Sequence, residues 1–551
     1  MKKSATPWTA LRGLVAALSL LPLAGVVQAQ DTKPLVRAVA ADFNSIDPAD
    51  TRSAQDQDLV LNLYDKLVSM KMHERPDGAY DGDPMEVIPN LASSWEVDGP
   101  VVTFHLRDDV TFHATGNPMT ADDVVYSFTR LVEIPANGKN QASVAGIYTA
   151  DQIEKIDDYT VQITHLDGPD GDPAEVAVRL TSYKFLQFGI IDSVEAKSHA
   201  TEDDPWSREW LQKNVASAGP YYISDHTTNQ EIVLTAVPDR DWGPQSNFDT
   251  IILRITGDAD VVSLVKGGVV DYAGEGLTGR QYSALESAGF PVLHGPTPNI
   301  LRMSMAVDKP PFDNQTVRQA MIYATPIDQI INVALGGRGF ASDCFYNPND
   351  ATCNGSFGEM YSYDLEKAAE LLKDAGVEDL EFDLWYSNSL PYNDDVAILI
   401  KSSMAQIGVT ANLKATPEVQ LKTAVRDRTY RENETMSGMY LHEATFWLPD
   451  PVTQTNCCIV SWSDIGGSGN WSRYDDPEID DWHYTYRNSG DQAARTEAYH
   501  KIQDRLAEAA ANQIPLVVMG RTVATSKRIA GVTFTQEPYA RYTYLKLADT
   551  N

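Results

Sequence analysis

The chain ends on strands that it cannot complete by itself. Past residue 510 the helical periodicity stops, leaving short apolar runs at 516–518 and 542–547 with no helix of their own. A short strand without neighbours leaves its N–H and C=O groups unpaired and is marginal in water. These runs need a sheet made elsewhere, and the N-terminal region is the expected host.

Upstream, helical patterns alternate with short strand-like runs, without fixed-period repeats or low-complexity segments, which argues an α/β protein. A strand over 35–40 leads through a loop, 42–51, into a helix running to about Leu67. The region 77–192 holds strand pairs such as 101–106 and 161–164, and a helix beginning at Thr120. The Thr120 hydroxyl can cap that helix, and Asp122 and Asp123 suit its positive end. Further strands are expected at 221–224, 231–237 and 250–256, with a helix over 259–266. A second α/β unit, about 301–510, is expected to carry helices from Thr316, over 364–374 and over 393–407, and a strand over 381–386.

The first residues read as an address. Lys2, Lys3 and Arg12 supply a positive region, 14–23 an apolar one, and Val27-Gln28-Ala29 a small-residue cleavage site, with the cut expected after Ala29. Pro22 and Gly25 interrupt the apolar run, which falls far short of the ~20 residues that span a bilayer. No cysteine near the cut could carry a lipid, so a soluble exported protein is expected. Losing the signal takes the formal charge from −33 to −36. Binding nucleic acid or anionic lipid requires clustered Lys and Arg, so neither is expected as a partner.

Four cysteines, Cys344, Cys353, Cys457 and Cys458, are expected to pair in an oxidising compartment. Three connectivities are possible. Cys344 and Cys353 bracket a turn-rich loop, which favours that local bridge; Cys457 and Cys458 then form a vicinal disulfide, with bridges across to the first pair as the alternative. No Cys-x-x-Cys or His-rich spacing supports a metal site, and no cofactor is implied.

Several segments carry a family likeness in their order. Ser45-Ile46-Asp47-Pro48-Ala49 precedes Asn62-Leu63-Tyr64-Asp65-Lys66-Leu67-Val68. Pro89-Asn90-Leu91-Ala92-Ser93-Ser94-Trp95 leads through Arg107-Asp108-Asp109-Val110-Thr111-Phe112-His113 to Thr120-Ala121-Asp122-Asp123-Val124-Val125-Tyr126-Ser127-Phe128. Gly219-Pro220-Tyr221-Tyr222, Pro310-Pro311-Phe312-Asp313-Asn314 with Val317-Arg318-Gln319-Ala320, and Ile514-Pro515-Leu516 follow. In this order the chain resembles the family-5 extracellular solute-binding proteins, which include the dipeptide, oligopeptide and nickel receptors of ABC importers, over nearly its whole mature length.

The resemblance implies a type II periplasmic-binding fold, two lobes with an additional subdomain and a hinge. It divides the chain into signal 1–29, lobe I 30–76, its additional subdomain 77–192, lobe I again 193–297, lobe II 298–510 and a lobe I return 511–551. It also implies a periplasmic, monomeric receptor working with an ABC permease in the inner membrane. Arg107, Asp108, Asp109 and His113 look fit for acid/base work, but the likeness makes them architectural.

For the ligand site the likeness points to Glu443-Ala444-Thr445-Phe446-Trp447-Leu448-Pro449-Asp450-Pro451. In peptide-binding members an aspartate three positions before the acidic residue that precedes the proline takes the peptide α-amino group; Trp447 holds that place here. A neutral aromatic cannot pair an ammonium as a carboxylate does, although its face can hold a cation by about 0.5–2 kcal/mol. Phe446 and Trp447 offer apolar walls, with lobe II core as their other reading, and Glu443 or Asp450 could take over the charge. Asn44, Arg302 and Arg473 are further ligand candidates, the arginines as bidentate partners for a carboxylate.

Short peptides come first as ligand, ahead of an oligosaccharide, an opine-like amino-acid conjugate or a metal chelate. A secreted hydrolase is the remote alternative. No Gly-x-Ser-x-Gly elbow and no His-Glu-x-x-His pair is present, so no catalytic residues are expected.

Overall fold

The computed structural model describes residues 33–549 apart from 167–187, 258, 275–276, 347–351, 390–391, 427–437, 446–450, 462–468, 488, 490, 536 and 538. The expected signal peptide 1–29 and its cut after Ala29 lie outside the described residues. Among the described residues no helix is long and apolar enough to cross a membrane.

A single 11-stranded sheet runs through the α/β molecule. At its centre two long antiparallel strands, Val292–Met305 and Gln513–Thr525, lie side by side and serve both halves. On one flank Gln513–Thr525 pairs with Tyr272–Ala273, followed by Leu35–Val39, Thr250–Ile255, Glu231–Ala236 and Tyr221–Thr227. On the other, Val292–Met305 pairs with Met439–Thr445, followed by Glu381–Ser387 and Thr410–Thr416. We call these halves the first and second lobes. The second-lobe core gathers Met303, Met321, Leu384, Ile400, Ile502 and Leu506, all fully buried; the first-lobe core gathers Leu35, Leu59, Ile251 and Leu253.

The terminal strands differ from the sequence expectation. The short run 516–518 is part of a 13-residue strand, because the ladder with Val292–Met305 runs through Pro515 and Gly520, which read locally as breakers. The run 542–547 is a 3-10 turn, Tyr542–Tyr544, and a two-residue strand, Lys546–Leu547, paired with Ile529–Ala530. Among the described residues after 525, only Thr533–Phe534 adds a strand to the N-terminal region, beside Tyr80 and Asp81. The tail is tied down instead by side chains: the Arg37 guanidinium donates to the Tyr542 hydroxyl, which donates in turn to Asp58, both at 2.6 Å.

The first helix, Ala54–Leu63, also stops short of Leu67. The Leu67 carbonyl accepts the N–H groups of Asn90 and Ala92, so the chain has already joined the next strand region. Gly219 seals the helix end: a Cβ there would lie 2.2 Å from the Leu63 carbonyl oxygen. A four-stranded sheet of Ala92–Asp98, Val101–Leu106, Thr160–Thr164 and Ile153–Asp157 stands apart, covered by the helix Ala121–Glu133. At the start of that helix the Asp123 carboxylate takes the Thr120 backbone N–H at 2.8 Å, completing a capping box.

Candidate functional site

Strand direction locates the crevice. Leu35–Val39 runs parallel to Thr250–Ile255 and to Tyr272–Ala273, and the last is antiparallel to Gln513–Thr525 with Ala273 opposite Ala524. The carboxyl ends of the first-lobe strands therefore point towards the middle of the central pair. In the second lobe Glu381–Ser387 is parallel to Thr410–Thr416 and Met439–Thr445, and Thr445 sits opposite Asn299. Its carboxyl ends point to the same place from the other side. Between them the central ladder slips register, from Pro296 opposite Gly520 to Ile300 opposite Val518. Ligands of open α/β sheets bind outside the carboxyl ends of strands, and here two such ends face each other across a break where the sheet can bend.

The first-lobe lip is the loop after Leu35–Val39. Asn44 is exposed there, its backbone N–H held by Asp56 Oδ1 at 2.7 Å. Asp42, two residues earlier, takes the Asn229 N–H at 2.8 Å and faces His226 Nε2 at 3.0 Å. Burial pushes the Asp42 carboxyl up, but the Asn229 and His226 hydrogen bonds outweigh it and hold the group below its usual range. The Phe43 ring lies 4.8 Å from that of His226. The sequence could not bring His226 to this lip, because the pairing spans 184 residues.

On the second-lobe side, Glu443 sits near the carboxyl end of Met439–Thr445, opposite Leu301. Its side chain is half-buried, yet Oε1 is shielded from solvent and finds no partner among the described residues. Burial pushes its carboxyl up to about 7. Phe446, Trp447 and Asp450 lie outside the described residues. His442, on the opposite face of the strand, lies 3.0 Å from Ser304 Oγ and 4.2 Å from the Trp471 ring, and burial pushes it down to about 3.

The two candidate arginines both meet protein groups. Arg302 is fully buried, donating to Gln513 Oε1 at 2.6 Å and to the Phe345 carbonyl at 2.5 Å, and burial pushes it down to about 9. Arg473, with φ of 61°, pairs with the Asp308 carboxylate at 3.2 Å. Both guanidiniums are thus engaged by protein groups.

Sequence reasoning also missed Arg338. Its guanidinium donates to Glu286 Oε2 at 2.9 Å and to the Gly279 carbonyl at 3.1 Å, and lies 5.2 Å over the Tyr282 ring. It thereby fastens a second-lobe loop to the first-lobe helix Gly279–Ser287 beside the register break.

Cys344 is bonded to Cys353, and Cys457 to Cys458 at the end of the helix Pro451–Cys458. A Cβ on Gly469 would lie 2.7 Å from Cys458 Sγ, so the vicinal pair leaves room there only for glycine.

Two lobes joined by a pair of crossing strands, with a crevice at their junction, define the class: a type II periplasmic-binding fold, as in solved solute-binding proteins of like architecture. Residues 86–458 match the bacterial extracellular solute-binding proteins, family 5, and the chain belongs to that family. The Dipeptide-binding protein of Escherichia coli is 30% identical over 377 residues, 64% of this chain and 65% of that protein. Heme-binding protein A of Haemophilus influenzae is 27% identical over 511 residues, covering 87% of this chain and 85% of that protein. DppA of Helicobacter pylori, solved in complex with the peptide STSA, superposes with a TM-score of 0.71 at 23% identity, over 94% of this chain and 98% of that one.

Proposed function

We propose that this protein is the periplasmic receptor of an ABC importer, capturing a short peptide between its lobes and delivering it to a membrane permease without catalysing a reaction. The observation that carries the reading is the convergence of both sets of strand carboxyl ends on the register break between Pro296 and Ile300. Lobe I comprises 30–76, the additional subdomain 77–192, 193–297 and 511–551; lobe II is 298–510. The receptor works as a monomer, with the signal removed after Ala29.

Glu443 supplies the ligand's cationic anchor, with Phe446, Trp447 and Asp450 on the same wall and Asn44 on the facing lip. An acid held near neutral binds an ammonium only after losing its proton, so affinity for free-amine peptides should rise as pH climbs from 6 through about 7. A non-peptide solute is the second reading, favoured by Trp447 in the aspartate's place and by a relative named for heme.

The test is a thermal-shift screen of the chain from Gln30 onward against di- and tripeptides, N-acetylated peptides, oligosaccharides, heme and metal chelates. A ligand at about a hundred times its dissociation constant should stabilise the fold by ~2.7 kcal/mol. Free-amine peptides should shift the melting point, acetylated ones should not, and Glu443→Gln should abolish the difference. Success of another ligand class with all peptides silent would overturn the peptide assignment.

A further inference from the structure

Where the first helix ends, the first lobe holds a small recess lined in part by Tyr64, Lys66, Asn90, Arg240 and Arg541. None of its lining residues belongs to the loops that face the crevice. Its volume is ≈ 40 Å³, against the roughly 10–15 Å³ that one water requires. It has room for a few waters or one small ion.

The donors around it outnumber their acceptors. Lys66 is 4% exposed, and its ammonium makes no hydrogen bond or ion pair with any described residue. Arg240 spends its two terminal nitrogens on Asp65 and the Pro244 carbonyl, and Arg541 donates to Glu537. In both arginines Nε is buried with no acceptor. Two lining atoms able to accept are orphans among the described residues, the Tyr64 hydroxyl and Asn90 Oδ1, and the latter faces Gly243, where a Cβ would lie 3.0 Å from it. Lys66, Arg240 and Arg541 stand against Asp65 and Glu537, so the neighbourhood carries one uncompensated positive charge in a chain of formal charge −33.

Burial of an ammonium without a partner is costly. Here burial, followed by repulsion from Arg541, pushes Lys66 down to about 8. A bound anion would remove that cost, and an oxyanion can accept from several nitrogens at once, as Lys and Arg commonly arrange around phosphate. We propose that this recess is a binding site for a small oxyanion of the phosphate type, with Lys66 as the central donor and Arg240 and Arg541 flanking it. Its three donors come from stretches of the first lobe far apart in sequence, around residues 66, 240 and 541.

The experiment is titration of the ligand-free mature protein with inorganic phosphate at constant ionic strength, followed by calorimetry and by melting temperature, for the wild type and Lys66→Met. Strongly hydrated anions stabilise most proteins by exclusion, so the diagnostic result is a saturable shift in the wild type that Lys66→Met lacks. Binding should weaken as pH rises through about 8, where Lys66 loses its proton. A wild type with no saturable response means that water fills the recess and overturns the proposal, as does an equal response in Lys66→Met. Should Lys66→Met fail to fold, the wild-type calorimetry and an Arg541→Gln variant decide the question.

Discussion

The two lobes bury polar groups in opposite ways. The first lobe, Lys66 apart, buries its charges in pairs: Arg130 and Asp47 form a two-bond bridge with both side chains fully enclosed, Arg37 meets Asp58, and Arg528 meets Asp271. The second lobe pushes its buried groups towards neutrality: His442 and His483 down to about 3 and Glu443 up to about 7. Its Arg318 donates to the carbonyls of Phe312, Ala509 and Ala510, and burial lowers its pKa. Paired charges fail when one partner is removed, whereas groups held neutral fail when the solvent charges them. The first lobe is therefore the one that mutation should break, and the second the one that a fall in pH from 7 to 5 should move more.

The largest effect should come from Asp47→Ala, which leaves Arg130 charged and enclosed. A loss of about 3–5 kcal/mol is expected in denaturant unfolding, with hydrogen exchange rising first in the first lobe. Replacing both partners by apolar residues of similar volume should recover most of it. A single-mutant cost below about 1 kcal/mol would erase the contrast between the lobes.

The pH prediction is next in size. Free His442 and His483 titrate near 6.5, but their folded values lie near 3, so below pH 6.5 the unfolded chain binds protons that the folded chain refuses. By pH 5 each should have cost about 2 kcal/mol of stability. Glu443 acts in the reverse sense. Its folded value lies above the ordinary one, so it favours the folded state below about pH 4.5, and that benefit is lost as pH rises through about 7. Glu443→Gln should steepen the acid loss, and a wild-type stability flat between pH 7 and 5 with Glu443→Gln equally flat would refute the second-lobe half of the comparison.

The smallest effect tests a local signal shared by neither pattern. Ser53 caps the helix Ala54–Leu63, its hydroxyl accepting the Asp56 N–H at 3.1 Å while the Asp56 carboxylate returns to the Ser53 N–H at 3.0 Å. Ser53→Ala should cost about 1 kcal/mol by thermal unfolding, without changing the pH profile.

Much of the fold was legible because local chemistry repeats it. The strand Glu381–Ser387 alternates buried and outward residues, and the helix Leu365–Asp374 opens on an aspartate cap, Asp364. The expectation that the segment after Glu443 meets ligand came only from the family likeness. Asp42 with His226, Glu286 with Arg338, and the cluster around Lys66 left no mark in the chain, since each joins residues far apart in sequence by contacts that have no period. A guanidinium likewise reads alike in sequence whether it faces a crevice or, like Arg302, an internal carbonyl.

By itself the sequence determined the alternation of helices and strands, the acidic net charge and the need for the strand run at 516–518 to join a sheet made elsewhere. Tertiary structure alone decided that Gln513–Thr525 serves both lobes, that Tyr542 holds the tail through Arg37 and Asp58, and which arginines are enclosed. Propensity and periodicity act over a few residues, while the depth at which a charge is buried depends on everything packed around it.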